Sequence, residues 1–278
     1  LEEVVVELNS IKYEKKDGIA RIIKDNPPQY GMTLEILLEM KKTLEDAAND
    51  EDISVIVISV GGEGFHLGAV VFGEVGNADW KLTPVEFREI SQFAREIFRY
   101  IETLEKPVIG VAKAGAVGGG FENLHACDFV IASNDAKFSQ PEVTLGLCTG
   151  WGGSQRLTRM VGWRKAKELL LTGIEIDGKE AERIGAITKS VPLNEVDSEV
   201  DRLCEQLKIC APVAWGYTKL AMNKVWETDH RTGLDFEVEA WGMVNSEREF
   251  NAEVFDDFLN GRQPKFKKRK KITSDWHK

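Results

Sequence analysis

The chain of 278 residues is 42% hydrophobic and 29% charged, with a formal net charge of −10. These values fit a water-soluble globular protein with room for one large domain and a helical appendage. The acidic balance argues against nucleic-acid binding as the role of the whole chain, and no apolar run approaches the ~20 residues that span a bilayer.

The segment Leu1-Glu2-Glu3-Val4 is acidic and lacks the basic-then-apolar layout of a signal peptide. Residues 4–8 and 11–15 alternate apolar and polar around Asn9-Ser10, and Asp17-Gly18 precedes Ile19 to Ile23. This pattern predicts a hairpin that feeds a buried strand. Pro27-Pro28 opens a loop, and Thr33 is placed to cap a helix carrying Leu37, Leu38, Met40 and Leu44. Val55 to Val60 is an uninterrupted apolar run, as in a strand covered on both faces. It empties into a glycine-rich loop, Gly61 to Ala69, and a mobile stretch is expected around Gly73 to Asp79. Pro84 to Leu104 reads as one long helix.

Pro107 to Ala112 is the next buried strand. It delivers Ala114-Gly115-Ala116-Val117-Gly118-Gly119-Gly120-Phe121-Glu122, the most glycine-dense stretch of the chain. Taken alone, such a stretch is equally a tight strand-to-helix turn or a cradle that offers backbone N–H groups to a ligand. A helix over 122–126 follows, then strands at 129–133 and 137–139. After Gln140-Pro141-Glu142 comes a third glycine loop, Gly146 to Gly153, which opens a helix at Gln155-Arg156-Leu157. The remainder reads as helices over 165–171, 178–184, 195–210, 213–226, 234–246 and 252–259, with a short strand over 186–191.

Two of the glycine loops lie beside a glutamate, Glu122 after the second and Glu142 before the third. Enolate-like charge on a thioester oxygen needs backbone donors already in place. Paired carboxyl groups can divide acid and base roles when their surroundings separate their pKa values. Taken singly, Glu142 reads as a solvated loop acid and Glu122 as a helix-start residue.

Together these segments resemble the crotonase superfamily, the enoyl-CoA hydratase/isomerase family. The resemblance spans roughly Ile11 to Phe266. It rests on Gly64-Phe65-His66-Leu67-Gly68-Ala69, on Gly118-Gly119-Gly120-Phe121-Glu122 with Cys127-Asp128, and on Phe138-Ser139-Gln140-Pro141-Glu142 with Leu145-Gly146. Gly152-Gly153-Ser154-Gln155-Arg156-Leu157 and Leu170-Leu171-Thr172-Gly173 add to it. The resemblance implies an α/β crotonase fold, a spiral of ββα units. Residues 1–192 would form the core with the CoA-thioester site. Residues 193–278 would form a helical region for trimerisation that ends in a basic tail.

The implied activity is hydration of a 2-enoyl-CoA to a 3-hydroxyacyl-CoA, with no cofactor and no metal. Gly119 and Leu67 would donate to the thioester oxygen. Glu142 would deliver a proton to the α-carbon, Glu122 would help activate the water, and Gly150 would lie beside that water. Gly118, His66, Gly68, Ala69, Val70 and Val71 would cradle the CoA and acyl moieties, and Lys265 and Lys267 would reach its phosphates. The implied partners are the acyl-CoA substrate and further copies of the chain, as a homotrimer or a dimer of trimers. Trp226, Phe236, Val238, Trp241, Phe255 and Phe258 supply apolar surface for that contact.

Val70 stands where the family commonly has an acid, Leu67 is larger than the usual alanine, and Trp151 is large for its position. These departures point to an unusual acyl group, cyclic or branched. The alternatives are an enoyl-CoA or dienoyl-CoA isomerase or a C–C bond hydrolase of the same superfamily, and more remotely an RNA-binding member. That last option rests on six basic residues among seven at Lys265 to Lys271, which otherwise read as a solvated tail. Cys127, Cys148, Cys204 and Cys210 have no metal-like spacing and read as reduced thiols of a cytoplasmic protein. His66 and His125 lack a ligand partner at zinc-site spacing.

Overall fold

The structure, a computed structural model, describes residues 8–27, 30–69, 83–246 and 252–266. Val70, Val71, Lys267, the stretch 73–79 and the basic run beyond Phe266 lie outside the described residues. Strands β1 (Ile11–Lys16) and β2 (Ile19–Lys24) form the expected antiparallel hairpin. Its turn residues Asp17 and Gly18 have φ of 52° and 81°, the handedness that matches strand twist. Thr33 caps α1 (Leu34–Asn49), its hydroxyl accepting from Ile36 N at 3.2 Å. After β3 (Val55–Val60), α2 (Pro84–Thr103) begins with a reciprocal cap between Thr83 and Glu86.

The chain continues through β4 (Val108–Ala112), β5 (Gly115–Val117) and α3 (Gly119–Leu124) to β6 (Phe129–Ser133) and β7 (Lys137–Ser139). Then come α4 (Gly153–Val161), α5 (Trp163–Thr172), β8 (Ile176–Asp177), α6 (Gly178–Arg183), β9 (Lys189–Val191) and α7 (Val196–Lys208). Helices α8 (Pro212–Glu227), α9 (His230–Ser246) and α10 (Ala252–Leu259) close the described chain.

One sheet has the order β1-β2-β3-β4-β6-β9, parallel from β2 onward, and a second has the order β5-β7-β8. The central strands β3, β4 and β6 of the first sheet are buried on both faces, as the unbroken apolar runs of β3 and β4 predict. Alternate residues sort cleanly. Ile56, Ile58, Val108, Val130 and Ala132 face the core under α1 and α2. Val55, Val57, Ile109, Val111 and Ile131 face the opposite side, where Val196, Val200 and Cys204 of α7 cover them.

Helix α7 is not peripheral but a layer of the core, its Val196, Val200 and Cys204 covering one face of the first sheet. The glycine stretch is not a simple turn either, because Gly115 to Val117 forms a strand of the second sheet and α3 starts at Gly119, three residues before the expected 122.

A buried ion pair ties α8 to the core. Lys219 Nζ donates to Asp128 Oδ2 at 2.7 Å and to Ile101 O at 2.9 Å, while Asp128 Oδ2 also accepts from Val108 N at 2.8 Å. Burial pushes the Asp128 carboxyl up to about 6 and the Lys219 ammonium down, so desolvation outweighs the attraction. Removing one partner strands a charge. Lys219→Met should lower the unfolding free energy in urea by ~3–5 kcal/mol. The double variant Asp128→Asn/Lys219→Met should recover most of that loss. Equal stability of the single variant and the parent would show that the pair is not desolvated.

Candidate active site

The site is built where two loops meet backbone to backbone at the carboxyl ends of β3 and β4. His66 bridges to Ala116: His66 N donates to Gly115 O at 3.0 Å, and Val117 N donates to His66 O at 2.9 Å. A side chain at Gly120 would bring its Cβ within 1.9 Å of His66 O, so only glycine permits this contact. Gly118 N donates to Ser139 O at 3.1 Å and turns the chain into α3. The next residue, Gly119, is the first of α3, and among the described residues its N–H meets no backbone carbonyl. First-turn N–H groups of a helix have no partner within it. Leu67 N donates to Phe65 O at 2.9 Å, a tight turn in which the donor stays at the rim of the loop.

Glu122 lies one turn into α3 and is 2% exposed. Its Oε1 accepts from Trp151 N at 2.9 Å and from Gly153 N at 2.7 Å, so the third glycine loop holds the carboxylate by two amides. Burial raises the Glu122 carboxyl to about 7 against those amides, and the nearby Glu142 adds to the rise. Glu142 opens a single 3-10 turn, Glu142–Leu145, and is half-buried. Its Oε1 lies 3.1 Å from where a Cβ on Gly118 would stand. Burial raises its pKa as well. The buried Gln140 offers its amide nitrogen to both Glu142 oxygens, at 2.9 and 3.2 Å, in the orientation that satisfies both groups. Two carboxyl groups with raised pKa values thus flank the start of α3, where the Gly119 N–H meets no backbone carbonyl among the described residues.

Trp151 is 4% exposed, and its ring stands edge-on to Phe98 at 5.9 Å between centroids. The ring also covers Gly119, since a Cβ there would lie 2.5 Å from two ring carbons. The peptide joining Gly150 to Trp151 supplies the N–H that binds Glu122, which puts Gly150 at the site. These contacts unite Leu67, Gly68, Gly118, Gly119, Glu122, Glu142, Gly150 and Trp151.

The family model described as enoyl-CoA hydratase/isomerase matches residues 14–269. The chain belongs to this family. It is 34% identical to a short-chain-enoyl-CoA hydratase of Clostridium acetobutylicum over 85% of this chain and 90% of that protein. It is 33% identical to a crotonyl-CoA hydratase of Syntrophomonas wolfei over 92% of this chain and 97% of that one. A crystal structure of an enoyl-CoA hydratase from Bacillus anthracis superposes with a TM-score of 0.85 at 27% identity, covering 94% of this chain and 100% of that chain.

In this member of the enoyl-CoA hydratase/isomerase family, His66 and Lys265, both expected at the CoA moiety, lie in very different surroundings. The His66 imidazole is fully buried beneath the loop, with Nε2 2.6 Å from Val111 O, and burial together with Lys24 holds it neutral. Its backbone groups are paired with Gly115 and Val117, so His66 braces the loop. Lys265 is exposed and lines the same surface cavity as Ile53, Ser54, Lys106 and Pro107, which precede the amino ends of β3 and β4. Leu67 and Gly119 follow the carboxyl ends, and a six-residue strand such as β3 separates the two levels by roughly 20 Å. Ala69 is exposed and bridges to Met32, at the rim of the site. Glu102 and Gln140, which support Glu122 and Glu142, were not singled out as functional from sequence; Glu102 lies 54 residues from its partner Arg156, a separation that carries no local signal.

The elevated Glu122 carboxyl makes stability pH-dependent. Its folded pKa of about 7 exceeds the ordinary carboxyl value of ~4.3, so the native state retains a proton that the unfolded state has lost. Its contribution is present in full below that ordinary value and falls away as pH rises toward 7. Comparing Glu122→Gln with the parent by urea unfolding at pH 4.5 and 8 should reveal a differential on the order of 3 kcal/mol, the parent losing more on going to pH 8. Parallel pH profiles for the two proteins would contradict a buried, raised carboxyl.

Proposed function

We propose that the chain catalyses the reversible addition of water to a 2-enoyl-CoA thioester, giving the 3-hydroxyacyl-CoA. The observation that carries this reading is the convergence of the Glu122 and Glu142 carboxyls on the free N–H at the start of α3. Conjugated thioesters accept a nucleophile at C3 and place negative charge on the thioester oxygen. Gly119 N–H and Leu67 N–H receive that oxygen, with Leu67 exchanging its turn contact with Phe65 O for the new acceptor. The positive end of α3 adds to the effect. Water held between the carboxyls loses a proton to Glu122 as its oxygen bonds to C3, and Glu142 gives a proton to C2. Both protons and the oxygen come from one water once the carboxyls re-equilibrate, so no redox partner enters the balance.

A raised pKa suits both tasks, since it supplies a protonated acid and a competent base near neutral pH. The Trp151 ring packed on Gly119, with Leu67 larger than the usual alanine, would crowd the acyl end of the site. That crowding, with relatives named for short-chain and crotonyl substrates, supports a small acyl group over a bulky cyclic one.

Assembly belongs to the same proposal. Trp241, Val238 and Phe258 are 73%, 67% and 70% exposed on α9 and α10, an apolar surface that fits contact with further copies in a trimer or dimer of trimers. The free cysteines and the absence of a membrane-length apolar helix among the described residues fit a cytoplasmic enzyme.

Crotonyl-CoA in ¹⁸O-water tests the reaction. The expected result is loss of the conjugated-thioester absorbance together with label in the 3-hydroxyl group. An isomerised product without label would favour the isomerase alternative. Glu142→Gln should reduce turnover by a factor on the order of 10²–10⁴ while leaving binding of a saturated acyl-CoA nearly unchanged. Full activity in that variant would remove Glu142 from the mechanism.

A further inference from the structure

The structure assigns Arg156 as the positioning residue of the Glu122 carboxylate, acting through the loop 151–153 and braced by Glu102. This inference rests on the reading of Glu122 as the water-activating base.

The contacts form an unbroken chain. Arg156, on the first turn of α4, is 7% exposed. Its Nε donates to Glu102 Oε1 at 2.6 Å and its Nη2 to Glu102 Oε2 at 3.1 Å, a bidentate pair with the last turn of α2. The remaining terminal nitrogen, Nη1, donates to Trp151 O at 2.8 Å. Trp151 N and Gly153 N in turn hold Glu122 Oε1. The guanidinium therefore fixes the same short loop whose amides fix the carboxylate. Gly152 leaves room for this: a Cβ there would sit 2.0 Å from Arg156 Nη1.

Geometry excludes lysine as an equivalent. A single ammonium cannot span both Glu102 oxygens and Trp151 O with the fixed fork of a guanidinium. The groups that bear on Glu122 are Glu142 from the 3-10 turn, Arg156 from α4, and the two loop amides. His125, on the turn after α3, is 2% exposed and held neutral by burial and by Arg156, so it adds no competing charge. Arg156 thus acts on Glu122 twice: it orders the amides that accept its charge, and it places a cation nearby. Both effects favour the ionised carboxylate.

The test separates positioning from simple support of the fold. The Glu122 carboxyl is followed by infrared difference spectroscopy across pH in the full-length protein, with Glu122→Gln identifying its band. Arg156→Met should move the midpoint upward from about 7, and turnover of crotonyl-CoA should fall on the order of 100-fold with little change in KM. Arg156→Lys should return the midpoint part of the way. Should Arg156→Met not fold, Glu102→Gln/Arg156→Met removes the stranded Glu102 charge and is read in the same way. A midpoint unchanged in the folded variant, whatever its turnover, overturns the assignment. Full hydratase activity in Glu122→Gln would instead overturn the role given to Glu122, while the shift in midpoint still reports on Arg156.

Discussion

Everything at the site depends on one close approach, the packing of His66 to Gly68 directly on Gly115 to Gly120. Backbone meets backbone there because no side chain intervenes. Val117 N and His66 N are both consumed in the bridge, which fixes the two loops in register. The N–H groups just beyond the bridge are those of Leu67, turned onto Phe65 O, and of Gly119, the first residue of α3. A Cβ at Gly120 would separate the loops by the width of a methyl group and with them the two donors. The buried His66 ring anchors the first loop from below by its contact with Val111 O on β4. His66 is thus part of the scaffold of the loop.

Electrostatics follow from the same packing. Because α3 is buried throughout, Glu122 is carried into a low-dielectric site with its charge half-compensated by amides. Glu142 arrives from a separate element and remains partly open to solvent. Two acids of the same kind therefore meet with different surroundings, which is how a pair can divide acid and base roles. Their positions are set independently, one by α3 and the third glycine loop, the other by Gln140 and the 3-10 turn, so a change in one need not displace the other.

Much of this was legible in the residues. The strand runs at 55–60 and 108–112, the Thr33 cap and the Asp17-Gly18 turn are local signals, and local signals survive in the fold. So do the glycine loops, because the need for close approach restricts those positions to one residue type. Other features left no local trace. The strand Gly115–Val117 is too short and glycine-rich to show period-two alternation, and it exists because Lys137 to Ser139 pairs with it. Helix α7 reads as one more amphipathic helix, and nothing in its own pattern says that its apolar face meets Val57 and Ile109. The fate of Lys265 depends on where the path from α10 ends, which no motif encodes.

The C-terminal helices also enter the argument as caps. The last carbonyls of any α-helix lack partners within it. At the end of α2, Ile101 O accepts from Lys219 Nζ at 2.9 Å and Glu102 O from Asn223 Nδ2 at 2.8 Å, both from α8. Arg99, one turn earlier, pairs with Glu227 of the same helix. Cations at this end also complement the helix dipole. Helix α8 thereby fixes the turn that presents the Glu102 carboxylate, and Glu102 holds Arg156, whose Nη1 holds the loop around Trp151. The ion pair between Lys219 and Asp128 is costly to bury, and its position explains its use: it locks α8 against the sheet at the point from which this polar chain runs to Glu122. Helix α8 is therefore not an independent appendage, because it supports the far end of the polar chain that ends at the Glu122 carboxyl.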